Sequence, residues 1–181
     1  MKRILIALAV LLSVQMADAQ TKTPEAAKKA VESAKVAAAN PKKAAKVATW
    51  TKLATSYMDA YNAPAGNAWL GANKQELQLI MGNQKPTSVE NVVLGGEQLV
   101  KEVYADKEFY FSPAGQLVMI NVTAPVVEDA LGLALEAYKK AGEVDVKNSK
   151  TKDIKAGIEN IARKYIDEGM NSYTLGDLAK A

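Results

Sequence analysis

Trp50-Thr51-Lys52-Leu53-Ala54-Thr55-Ser56-Tyr57 places its apolar residues three and four positions apart, the spacing of one face of an α-helix. Outward from it, Val47, Met58 and Tyr61 extend the stripe, and Asn62-Ala63-Pro64 stops it, because the residue before a proline is pushed out of the helical region. Upstream, Thr23-Pro24-Glu25 reads as a helix start, with Thr23 as N-cap and Pro24 at the first helical position. The run from Pro24 to about Ala39 carries Ala27, Ala30, Val31, Ala34 and Ala38 on one face. So small a face lets another helix come close but buries little area. Asn40-Pro41 ends this helix and can begin the next.

Residues 65–123 break the helical rhythm. Asn73 with Glu76 predicts a capping pair, and Leu77, Ile80 and Met81 a short helix ended by Gly82. After Pro86, the segments Asn91 to Leu94, Gln98 to Tyr104, Glu108 to Phe111 and Leu117 to Val122 are rich in β-branched and aromatic residues. They are separated by Gly95-Gly96, Ala105-Asp106-Lys107 and Pro113-Ala114-Gly115, which predicts a four-stranded antiparallel meander. Helical rhythm returns at Pro125, where Val127, Leu131, Ala134, Leu135, Tyr138 and Ala141 share a stripe and Gly142 marks its end. A last helix is predicted from about Asp153 to Leu175, with Ile154, Ile158, Ile161, Ala162, Tyr165, Gly169 and Tyr173 along its buried side. Gly169 lies mid-helix, at a cost of about 1 kcal/mol relative to Ala, and is expected where a second helix comes close.

Two spacings belong together although they lie far apart in the chain: Trp50-x2-Leu53-Ala54-x2-Tyr57 and Ala134-x3-Tyr138-x2-Ala141. They resemble the two halves of one tetratricopeptide repeat, a helix-turn-helix unit with the pattern W-x2-L-G-x2-Y, then A-x3-F. Gly169, Tyr173, Gly176, Asp177 and Ala181 repeat part of this pattern, which resembles the end of a first repeat helix, the turn and the opening of a second. The resemblance covers about Pro24 to Tyr61 and Pro125 to Ala181. Ala54 stands where the family usually has Gly, no Pro follows Ala141 at the expected place, and Tyr165 stands where Trp is commoner.

The resemblance implies a mainly α fold, α+β overall, of helix pairs with a β meander inserted at the turn inside one repeat. Its parts are residues 20–63, 64–124 and 125–181, the last with a truncated final repeat. It also implies a noncatalytic scaffold that binds proteins. Carried over by register, the ligand-facing residues are Thr51, Thr55 and Met58, then Ile166, Met170 and Tyr173. The second trio is apolar at i, i+4 and i+7, which suits an amphipathic or extended peptide. An alternative is that these residues pack against neighbouring parts of the chain.

Composition narrows the chemistry. The 181 residues include no His and no Cys, which removes Ser-His-Asp and Cys-His nucleophiles, thiolate sites and ordinary zinc sites. Neighbouring carboxylates at Glu128-Asp129 and Asp167-Glu168 do not share a helix face, so neither is an acid–base couple. Gly95-Gly96 lacks the Lys-Ser/Thr of a phosphate-binding loop and precedes a strand. No catalytic residue, cofactor or metal is expected. Seven Lys between Thr21 and Lys46 stand against Glu25 and Glu32, but they alternate with Ala on a helical period and no aromatic is interleaved. A solvated helix face is expected there, and no nucleic acid.

Residues 1–19 read as a signal peptide: Lys2 and Arg3, the apolar run Ile4 to Leu12, and Ala17-Asp18-Ala19 as the cleavage site. That run is about half of the roughly 20 residues needed to cross a bilayer, so no transmembrane anchor is expected. The prediction is an exported bacterial protein, periplasmic or extracellular, cleaved after Ala19. Competing expectations are that the β meander is a peptide- or glycan-binding module supported by the helices, or that the chain is a fragment without independent function. An unpaired last helix also predicts self-association.

Overall fold

The structure, a computed structural model, describes residues 21–82 and 84–177. Among these residues it contains six helices, α1 (Pro24–Ala39), α2 (Pro41–Ala44), α3 (Val47–Asn62), α4 (Lys74–Met81), α5 (Ala130–Val144) and α6 (Thr151–Leu175). Four strands, β1 (Ser88–Leu94), β2 (Glu97–Val103), β3 (Lys107–Phe111) and β4 (Leu117–Val122), lie between α4 and α5. The chain is mainly helical with one antiparallel sheet of order β1-β2-β3-β4. The described residues divide into two compact units, a helical one from Lys22–Pro64 with Pro125–Met170, and a sheet unit from Ala65–Ala124 with residues 171–177.

In the helical unit, local chemistry sets each helix start. Thr23 Oγ1 accepts from the Ala26 N–H at 3.3 Å and Pro24 opens α1. Asn40 Oδ1 accepts from Lys42 and Lys43 and starts the single turn of α2. The indole Nε1 of Trp50 donates to the Ala44 carbonyl at 2.7 Å, which ties α3 to the turn before it. Alanines then allow close packing: Ala27 and Ala34 of α1, Ala54 and Ala60 of α3, and Ala134 and Ala141 of α5 are buried in one core with Val31, Leu53, Tyr57, Leu131 and Tyr138. α3 packs on both α1 and α5. Ile154 and Ile161 of α6 complete this core.

α5 begins later than the sequence pattern predicts, at Ala130 instead of Pro125. Asp129 adopts a left-handed conformation, φ 49°, and its carboxylate accepts from the Gly132 N–H at 3.2 Å. Such a cap needs non-helical backbone at the cap residue, so the helix cannot extend upstream of it. Val127 still packs against the core from the preceding turn. At its other end α5 passes Gly142 and runs to Val144.

In the sheet unit, Asn73 and Glu76 form the reciprocal cap expected of them, and Gly82 with φ 60° ends α4. Only Leu77 of α4 is buried, whereas Ile80 is 38% exposed. Gly95 and Gly96 have φ 60° and 85° and link Leu94 to Glu97, the two-residue turn whose backbone matches the twist of a hairpin. One sheet face buries Phe109, Phe111 and Leu117 against Ala72 and Leu77. Leu99, Tyr110 and Met119 pack on the other with Leu175, the last residue of α6. There the Asn171 side chain donates to the Ile120 carbonyl at 3.3 Å.

Candidate protein-binding face on the last helix

α6 is built from its first turn. The Asp145 carboxylate accepts from the Ser149 N–H and Oγ–H and the Lys150 N–H, all at 2.8 Å, and so orders the backbone leading into the helix. Burial alone would push this carboxyl up, but the bonds to Lys150, Ser149 and Thr151 outweigh it and hold it below the ordinary aspartate range. One turn further, Gly157 lets the ring of Tyr138 rest on the helix backbone: a Cβ there would stand 2.2 Å from the ring carbon that carries the hydroxyl.

The buried residues of α6 are Ile154, Ile161 and Ser172, with Ile158 and Leu175 partly buried. The sequence reading placed Ala162, Tyr165 and Tyr173 on the buried side. The structure corrects this, with Ala162 exposed, Tyr165 43% exposed and Tyr173 69% exposed. Glu168, itself exposed, reaches Tyr61 of α3: burial, then the Glu168 carboxylate, then Asp167, raise the Tyr61 hydroxyl well above its ordinary pKa. Tyr165 is raised too, by burial and by the Asp129 and Glu168 charges.

Ile166 is 63% and Met170 43% exposed, and with Tyr173 they follow one side of α6 at the expected i, i+4, i+7 spacing. The trio on α3 is different. Met58 is buried in the core, and Thr51 and Thr55 turn their hydroxyls back onto the Ala48 and Lys52 carbonyls of their own helix. Thr51 is half-buried and Thr55 exposed. Among the six carried-over residues, the two apolar ones of α6 in the helical unit and Tyr173 beyond them are the largest exposed groups.

The repeat-like residues are brought together. Leu53, Ala54 and Tyr57 of α3 and Ala134, Tyr138 and Ala141 of α5 share one core, with Trp50 packed against it. Gly169 is half-buried within α6. Gly176, φ 80°, ends α6 with its N–H on the Tyr173 carbonyl and that of Asp177 on Ser172, the paired bonds of a Schellman C-cap. Ala181 and residues 1–19 lie outside the described residues.

Several structural features left no trace in the sequence pattern. Lys107 is 4% exposed, with its ammonium 2.9 Å from Asp106 and above the rings of Tyr104 and Phe109. Its place was read as a turn, since lysine in a strand next to Asp looks solvated. Of the paired carboxylates, Asp129 serves as a helix cap and Glu168 meets Tyr61. Arg163, exposed on α6, has no counterpart in the sequence pattern either. Among the described residues no helix is long and apolar enough to cross a membrane. No protein-family model, curated protein or solved structure matches the chain.

Proposed function

We infer that this chain is a noncatalytic, tetratricopeptide-like scaffold that binds other proteins in the bacterial envelope. The observation that carries the reading is the shared core of α3 and α5. Two half-motifs with 76 residues between Tyr57 and Ala134 pack as a helix pair, with the β meander between them in the chain. The signal-like residues 1–19 support export, to the periplasm or beyond the cell. A chain without His or Cys supports binding over nucleophilic chemistry. The contact surface is the exposed side of α6 in the helical unit at Ile166 and Met170, with Thr51 and Thr55 of α3 as secondary contacts, and Met58 is a core residue.

The test is selection of peptides from an unbiased displayed library on the intact protein, followed by titration against Ile166→Asp with Met170→Asp. Amphipathic or extended peptides should be recovered, and the double variant should weaken them by on the order of 10-fold or more, the loss expected for apolar anchors at an interface. Peptides that bind the variant equally well would reject this face.

A second reading is favoured by the edge of the sheet. β1 is an edge strand, and Val89 and Val93 on it are 59% and 65% exposed. An extended peptide could add there as a fifth strand through backbone hydrogen bonds. In that case the selected peptides would be insensitive to the α6 variant and lost on Val93→Pro.

A further inference from the structure

We propose that the exposed side of α6 binds a second copy of this chain, as an antiparallel helix pair about a two-fold axis near Tyr165 and Ile166. The proposal rests on the reading of this side as an interaction surface and names its partner.

The argument is self-complementarity. Along the exposed arc the sequence places Arg163, Ile166, Asp167 and Met170. Residues three and four apart on a helix are neighbours on its surface, so Arg163 and Asp167 form one row beside the row of Ile166 and Met170, the cation toward the helix start and the anion toward its end. Reversing a second copy of α6 exchanges those ends. Arg163 of each copy then meets Asp167 of the other, the two Ile166 side chains meet at the axis, and Met170 lies over Ala162 of the other copy. A two-fold interface requires that residue i meet j and j meet i, and this short stretch satisfies the condition with opposite charges at both ends. A parallel pairing would instead set Arg163 against Arg163 and Asp167 against Asp167.

Four observations fit. Ile166 is the most exposed large apolar residue of α6 in the helical unit at 63%. Ala162 is exposed and small, so it leaves room for the flexible thioether of Met170. Arg163 and Asp167 are exposed, and among the described residues neither takes part in an ion pair. Toward the helix start the apolar surface gives way to Glu159, 3.9 Å from Lys155, which limits the contact to the middle of the helix. So short a contact predicts a reversible dimer, since interfaces of small area are weak and transient.

Sedimentation velocity over a concentration series tests it with the intact chain, wild type and four variants. Wild type should move from monomer to dimer with rising concentration. Arg163→Asp alone or Asp167→Arg alone should weaken the dimer by on the order of 10-fold, because each single reversal creates two like-charge contacts across the axis. The double reversal, Arg163→Asp with Asp167→Arg, should restore it to within a few-fold of wild type. Ile166→Asp should abolish it. Far-UV circular dichroism of each variant separates loss of association from loss of fold. A wild type that stays monomeric throughout, or a dimer indifferent to single reversals or not restored by the double one, would overturn the proposal. Where the dimer fails but library-selected peptides still lose affinity on Ile166→Asp with Met170→Asp, the second copy is wrong and the interaction surface stands. Loss of both rejects the two together.

Discussion

Gly157 and Gly142 are both helical, and the difference between them is what lies outside the helix. An added methyl at Gly157 meets the buried ring of Tyr138, whereas at Gly142 nothing lies within 4 Å. Alanine removes backbone freedom from the unfolded chain at both, but overpacking a filled core costs about 1–3 kcal/mol, which exceeds the propensity gain of about 1 kcal/mol. Urea unfolding should therefore find Gly142→Ala more stable by about 0.5–1 kcal/mol and Gly157→Ala less stable than wild type. Asp145 gives a pH prediction at the same scale. Its folded-state pKa lies below the unfolded value, so its carboxylate adds stability above about pH 4, the ordinary aspartate value. That contribution is lost as pH falls further, through the folded pKa. Asp145→Asn should make the acid limb of the stability profile shallower, while Glu90 and Glu108, lowered as well, keep part of it. A parallel acid limb in the variant would contradict the hydrogen-bonded role of Asp145. None of this was legible residue by residue. The sequence marks where glycines and acids stand, and only the packed neighbours decide that Gly157 carries a ring and Asp145 a loop.

Elements were more legible, because their ends are written in local chemistry. Thr23-Pro24, Asn40-Pro41 and the Asn73/Glu76 pair all cap helices where their types predict, and Gly95-Gly96 forms the predicted hairpin turn. Asn73 satisfies the N–H groups of both Gln75 and Glu76 at 3.0 Å. Asn73→Ala should thus destabilise the sheet unit by about 1 kcal/mol, typical of a lost N-cap, with earlier amide exchange in α4 as its local sign. Unchanged exchange there would mean that α4 is held by Leu77 alone. The misses have physical causes. Apolar periodicity continued from Pro125 into α5, but the left-handed Asp129 stops the helix at Ala130. Periodicity also placed Tyr165 and Tyr173 inward on α6, because a stripe of period 3.6 does not reveal which apolar residues have a neighbour to cover them. Strands were found in order, each end to within about three residues, the error expected where ladders fray, whereas their register was not legible.

Across the whole molecule, the pairing of distant helices was legible only through the repeat-like spacings, since periodicity alone says nothing about which helix packs on which. The buried Ala54, Ala134 and Ala141 allow α3 and α5 to approach. The division of α6 between the two units, with Met170 in one and Asn171 in the other, had no counterpart in composition. The functional reading gathers on the exposed side of that helix, and the edge of β1 is its rival. The measurement that separates them most directly is methyl NMR of the intact protein titrated with a library-selected peptide. The account predicts that the shifts cluster at Ile166 and Met170 and that those of Val89 and Val93 stay unmoved. Shifts gathered on Val89 and Val93, with Ile166 and Met170 silent, would contradict it and make the sheet edge the binding site.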